Sequence, residues 1–181
     1  VSYHLSEPEL QLGLPNIQES PQNFGRVEMI VIRPDVDARQ ALEACYFSPD
    51  LGAEGDTWRA RYHAKGKSPD AEAQIAVMNF RSALLIAQTK ERCIWAGDNL
   101  FVDFDLSVNN LQPGQHLSIG SALFEMTAKP HNGCHKFADR FGKDAVKFVN
   151  SSSGKQLHLR GIYFKVLQAG TVKVGDLIQK C

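Results

Sequence analysis

The segment Lys129-Pro-His-Asn-Gly-Cys-His-Lys136 sets one thiol among two imidazoles and two ammonium groups. Cys134 follows His131 by three positions and adjoins His135, in a Pro/Gly loop. Basic neighbours and a following helix N-terminus favour the thiolate, the form that attacks sulfur or carbon electrophiles and can carry a persulfide. On that basis Cys134 is the candidate nucleophile or sulfur carrier, with His131 or His135 tuning it or relaying its proton. Free cysteines are also among the most buried residues, so an inert thiol is the competing reading. Cys45 and Cys93 lack such neighbours and are expected in the core, and Cys181 is expected to be exposed. The same loop holds three metal-capable side chains, His131, Cys134 and His135, to which His63 or Asp56 could add. A structural zinc site uses four ligands, usually in spaced pairs, and no second pair is present.

Twenty basic and twenty acidic residues cancel over the chain, which argues against a bulk grip on nucleic acid. Between Lys129 and Lys165, however, 8 basic residues face 2 acidic ones, together with three of the six histidines. A local excess of this size suits a small anionic ligand or cofactor. Lys129, Lys136, Arg140 and Arg160 are the candidate anion seat, since guanidinium groups take phosphate and carboxylate in bidentate fashion. Each of them alone reads equally as a solvated surface cation. Trp58 and Phe137 could face a flat ring, or fill the core. Gly55-Asp56, Gly97-Asp98 and Gly175-Asp176 read as turns. GxGxxG, GxxxxGK[ST] and GxSxG are absent, so dinucleotide, P-loop and serine-hydrolase functions lack support.

These residues need a scaffold, and 181 residues with 43% apolar and 22% charged content supply one folded domain. No apolar run approaches the roughly 18 residues that span a bilayer, so no membrane role is expected. Four scattered cysteines without CxxC spacing, and no export signal at the N-terminus, point to a reducing, cytoplasmic setting. Residues 1–25, rich in Pro, Ser, Asn and Gln, are expected as an extended arm ahead of a single domain at 26–181. Arg26–Arg33 and Ala73–Met78 read as strands, and Asn79–Cys93 as a helix with Asn79 as N-cap. The segment Asp37–Ala44 is open between helix and strand. Short strands are expected at Leu100–Leu106, Gln115–Ile119, Leu123–Thr127, Gly161–Gln168 and Val172–Ile178, with helical periodicity over His135–Ser151 broken at Gly142. Many short strands with regular turns predict a mainly β fold, a closed or nearly closed barrel with a few short helices.

Three stretches carry a resemblance: Leu117-Ser-Ile-Gly-Ser-Ala-Leu-Phe-Glu-Met-Thr127, the Lys129–Ala138 cysteine loop, and Leu159-Arg-Gly-Ile-Tyr-Phe to Val174-Gly-Asp176. With the Gly52-Ala-Glu-Gly-Asp-Thr-Trp58 turn, in this order, they resemble the MOSC domain, found at the C-terminus of molybdenum cofactor sulfurases and as stand-alone bacterial proteins. The likeness covers about residues 26–178. It implies a barrel of the pyruvate-kinase type and a molybdenum cofactor (molybdopterin) as ligand. It places the family's lone cysteine on Cys134, as sulfur carrier or ligand-meeting thiol. Pyridoxal phosphate, in generic descriptions of the family, belongs to a separate sulfurase domain for which this chain has no room. Relatives that assist reduction of N-hydroxylated compounds work with electron-transfer partners. This chain has no flavin, nicotinamide or iron–sulfur motif, so a sulfur or electron donor protein is the expected partner. Thr57 stands where the family has Arg after Gly-Asp.

Overall fold

A computed structural model describes residues 3–181. Val1 and Ser2, part of the expected arm, lie outside the described residues. The strands are β1 Phe24–Ile32, β2 Gln40–Leu42, β3 Ala44–Ser48, β4 Gly52–Ala53, β5 Ile75–Asn79, β6 Leu100–Asp103, β7 His116–Ile119, β8 Ala122–Met126, β9 Ile162–Gln168, β10 Gly170–Lys173 and β11 Leu177–Lys180. The helices are α1 Glu7–Leu12, α2 Leu14–Gln18, α3 Trp58–His63, α4 Phe80–Ala87, α5 Lys90–Cys93, α6 His135–Phe141, α7 Lys143–Asn150 and α8 Ser152–Gln156.

Seven strands close a barrel in the order β1-β11-β7-β8-β9-β5-β6 and back to β1, while β2 hangs on β1 and β10-β3-β4 form a small second sheet. The mainly β barrel with short helices is therefore the architecture expected. All barrel pairings are antiparallel except β5–β6. A parallel pair needs a crossover, and α4 and α5 provide it. Asn79 caps α4 as expected, its side chain accepting from Ser82 N at 3.0 Å. The predicted 79–93 helix is nevertheless two helices, because Gln88 turns left-handed at φ 67°.

Two cores result. Val27, Ile30, Val77, Val102 and Phe164 fill the barrel interior. On its outside, Met29, Val31, Met78 and Phe101 pack with the helices through Leu10, Phe137, Phe141 and Phe148. Strands β1, β5 and β6 are thus covered on both faces, which is why β1 ends in the continuous apolar run Met29–Ile32 instead of alternating throughout. Among the described residues no helix is long and apolar enough to cross a membrane.

The extended arm is corrected. Residues 7–18 form α1 and α2, because Ser6 and Glu9 make a capping box and Pro8 and Pro15 occupy first-turn positions, where proline is tolerated. Leu10 and Ile17 then bury against the outer core. The expected Val172–Ile178 strand is broken by the turn at Gly175-Asp176, where Asp176 accepts from Lys173 N. Residues 37–44 resolve into a turn and β2.

Candidate functional site

Four neighbouring staves of the barrel supply one corner of the molecule. Arg33 follows β1, Asp98 precedes β6, Ala76 lies in β5, Arg160 precedes β9 and Tyr163 lies in it. Arg160 is fixed by the turn behind it. Gly161 has φ +104°, and a Cβ there would fall 2.2 Å from the Val77 carbonyl oxygen. Only glycine lets the chain pass so close while taking this backbone.

Asp98 is wholly buried. Its Oδ2 accepts from Arg160 Nη1 at 2.7 Å, and Arg160 Nη2 donates to the Ala96 carbonyl at 2.9 Å. The guanidinium lies 4.8 Å from the centroid of Phe137, on α6. On the other side of Asp98, His131 Nδ1 stands 3.6 Å from Oδ1, and the imidazole stacks on Tyr163 with centroids 4.3 Å apart. Burial, followed by the charges of Arg160 and Arg33, holds His131 well below its ordinary pKa. Burial likewise raises the Asp98 carboxyl, against the pull of Arg160 and Arg33.

Arg33 grips Asp56 with two nitrogens, at 2.9 and 3.0 Å, and donates to the Gly97 carbonyl at 3.3 Å. Burial alone would raise Asp56, but Arg33 brings it below the usual carboxylate value. Buried Asn99 ties this pair to the barrel, donating to Asp56 and to the Val31 carbonyl.

Between these groups and α3 opens a cavity of about 370 Å³ whose charged lining is all cationic, comprising Arg33, Arg61, Lys65, Lys67 and Arg160. Trp58, Tyr62, Tyr163 and His131 add flat rings to its wall. Arg61, Lys65 and Lys67 make no ion pair among the described residues. His131 and Arg160 also line a second cavity of about 470 Å³ on their far side. Four enclosed side-chain atoms find no hydrogen-bond partner among the described residues: Arg39 Nε, Asp98 Oδ1, His131 Nδ1 and Arg160 Nε. All belong to the surroundings of Gly97-Asp98, since a terminal nitrogen of Arg39 comes within 4.0 Å of the position a Cβ on Gly97 would take. Asp98 Oδ1 and His131 Nδ1 face each other at 3.6 Å, just beyond hydrogen-bond length, so the two atoms left with nothing opposite are Arg39 Nε and Arg160 Nε, and buried polar groups are almost always satisfied.

The residues proposed from sequence divide between this corner and its surroundings. His131 and Arg160 come together, joined by Asp98. Cys134 is exposed at the N-cap of α6, where its thiol makes no capping hydrogen bond. Its loop is pinned by Asn150, which accepts from Gly133 N at 2.9 Å and donates to Gly133 O at 3.0 Å. His135 and Lys136 are exposed on α6. Lys129 is held by Asp70 and lines the second cavity. Arg140 turns toward Trp95 and Asp37. Among the described residues no three His, Cys, Asp or Glu side chains are gathered to hold a metal ion, so the His131–Cys134–His135 ligand set is not assembled. Burial pushes the thiols of Cys45 and Cys93 up to about 11 and about 12, as expected of core cysteines. Asp98, Arg33, Arg61 and Tyr163 were not expected from sequence.

Barrel and site together define a closed β-barrel protein with a cationic cavity and an exposed cysteine. The sequence matches the MOSC domain over residues 52–179, more than half of the chain, and the protein belongs to that family. Among curated proteins none matches. Among solved structures the fold is similar to the YuaD protein of Bacillus subtilis, with TM-score 0.62 and 17% identity over 87% of this chain and 95% of that one. It is also similar to YiiM of Escherichia coli, with TM-score 0.56 and 18% identity over 86% and 69% of the two chains. For YiiM of Geobacillus stearothermophilus the values are 0.57, 16%, 87% and 75%.

Proposed function

We propose that the protein binds a phosphate-bearing, molybdopterin-type cofactor in the cationic cavity and uses the exposed Cys134, three residues after His131 of the cavity wall, as a sulfur carrier. The observation that carries this reading is the all-cationic charged wall of the cavity, with the enclosed Nε of Arg160 left without a partner beside it. The residues fit such a ligand. Arg61, Lys65 and Lys67 are free to meet phosphate, Arg33 and Arg160 stand behind them, and the tyrosine and tryptophan rings offer flat surface. When bound, a cofactor of this kind supplies redox and sulfur-exchange chemistry at its metal. Asp98 holds Arg160 in place and faces His131 Nδ1, leaving the opposite ring nitrogen of a neutral imidazole to accept a proton.

Cys134 enters this reading through its exposure. Loaded by a donor protein, its thiolate attacks the outer sulfur of the donor's persulfide. The donor leaves as a thiolate, and no net oxidation is needed. Calorimetric titration with inorganic phosphate tests the cavity. Arg61→Ala should weaken binding about tenfold, and unchanged affinity would remove the cavity from consideration. Cys134→Ser should abolish sulfur loading, read by mass, while leaving phosphate affinity intact.

A second reading is a binding module without turnover, serving a partner enzyme. It is favoured by the position of Cys134 outside the lining of either cavity. Native mass spectrometry of protein from its own host separates the two, since only the carrier shows an added sulfur on Cys134.

A further inference from the structure

Gly97 has φ +91°, a backbone that favours glycine, and three guanidinium groups surround it. Arg33 donates to its carbonyl from the cavity side. A Cβ on Gly97 would lie 3.9 Å from Arg140 Nη1 and 4.0 Å from Arg39 Nη2. Arg33 is neutralised by Asp56, whereas the other two are poorly compensated. Arg39 donates to the carbonyl of its neighbour Ala38, and its Nε is enclosed without a partner. Arg140 donates to the Trp95 carbonyl at 2.8 Å and reaches only the exposed Asp37, at 3.6 Å. Both guanidiniums lie against the Trp95 ring, at 5.9 and 5.7 Å from its centroid, and that ring is 39% exposed. Burial, then the charges of Arg140 and Arg33, hold Arg39 below its ordinary pKa, as crowding of like charges requires. The carboxylate that faces the pair is the exposed Asp37, 3.6 Å from Arg140 Nη2, and forked donors so loosely paired suit an oxyanion that takes its place.

We propose that the site continues past Gly97 into a second anion seat formed by Arg39 and Arg140, so that its ligand carries two linked phosphates, as a pyrophosphate ester does. This deepens the cofactor reading and rests on it. Arg61 and its neighbours take one phosphate, the Arg39–Arg140 pair takes the next, and Gly97 leaves the passage between them free of a side chain. Trp95 borders the second seat and reports on its occupation.

The full chain is titrated calorimetrically with inorganic phosphate and inorganic pyrophosphate, with tryptophan emission followed in parallel. Pyrophosphate should bind at least about tenfold more tightly than phosphate and change the emission. Arg39→Ala/Arg140→Ala should reduce that preference to about twofold while leaving phosphate affinity within about twofold. Lys65→Ala/Lys67→Ala removes two charges elsewhere. It should weaken both anions and preserve their ratio, which separates a second seat from general attraction. Arg140→Gln alone, on the surface of α6, should lower the ratio at least about threefold and guards against misfolding of the double variant. A ratio unmoved by either arginine variant overturns the second seat. Phosphate binding that depends on Arg61, without any pyrophosphate preference, sinks the second seat and leaves the cofactor reading standing. Failure to bind either anion removes both.

Discussion

Asp98 serves two partners, Arg160 at 2.7 Å and His131 at 3.6 Å, from a position without solvent. Breaking a buried pair by removing one charge leaves the other unpaired, so Asp98→Asn should cost about 3 kcal/mol of stability, read from urea unfolding. His131 gives a second test. Its folded pKa lies well below the unfolded value of about 6.5. The unfolded chain therefore binds the proton more readily, and the neutral ring's contribution is present above pH 6.5 and lost as pH falls. Between pH 7.5 and 5.5 this amounts to about 1.4 kcal/mol, and His131→Gln should remove that share of the acid sensitivity in urea titrations at the two pH values. His131 and Arg160 were legible because they sit in a stretch crowded with basic residues. Asp98 was not, since a Gly-Asp pair is sufficiently explained as a turn until its burial is seen. Arg33 lies in the acid-rich half of the chain, and only barrel closure carries it to Gly97, 64 residues away in sequence.

The loop from His131 to Cys134 is held from one side by β9, through the Tyr163 stack, and from the other by α7, through Asn150. Asn150→Ala removes both hydrogen bonds to Gly133 and should cost about 1–3 kcal/mol. Amide exchange at Gly133 should quicken while the β5 and β6 amides keep their protection. Equal loss of protection throughout would show that the side chain supports the fold at large instead of the loop. Among the elements, the barrel strands were legible because apolar β-branched runs bounded by Gly and Pro have few other homes. The helices of residues 7–18 were hidden because their prolines read as breakers. At a first turn proline breaks nothing, and recognising that depends on the Ser6–Glu9 box and on a tertiary surface for Leu10 and Ile17.

The corner around Gly97-Asp98 lies where the barrel wall meets the helical layer, so neither core alone can hold it. The barrel fixes Asp98 and Tyr163, while α6 brings Phe137 under Arg160 and is itself seated in the outer core with α1 and α7. Weakening the helical layer far from the site should therefore loosen the site and spare the barrel. Leu10, 1% exposed on α1, is the place to do it. Leu10→Ala should cost about 2–5 kcal/mol, as core truncations of this kind do. Hydrogen exchange should quicken over α1, α6 and α7 with β7, β8 and β9 unchanged, and phosphate affinity should fall in step with the loss of protection in α6. Should affinity hold while α6 loses its protection, Arg160 would be positioned by Asp98 and the barrel alone, and the helical layer would be a cover with no part in shaping the cavity.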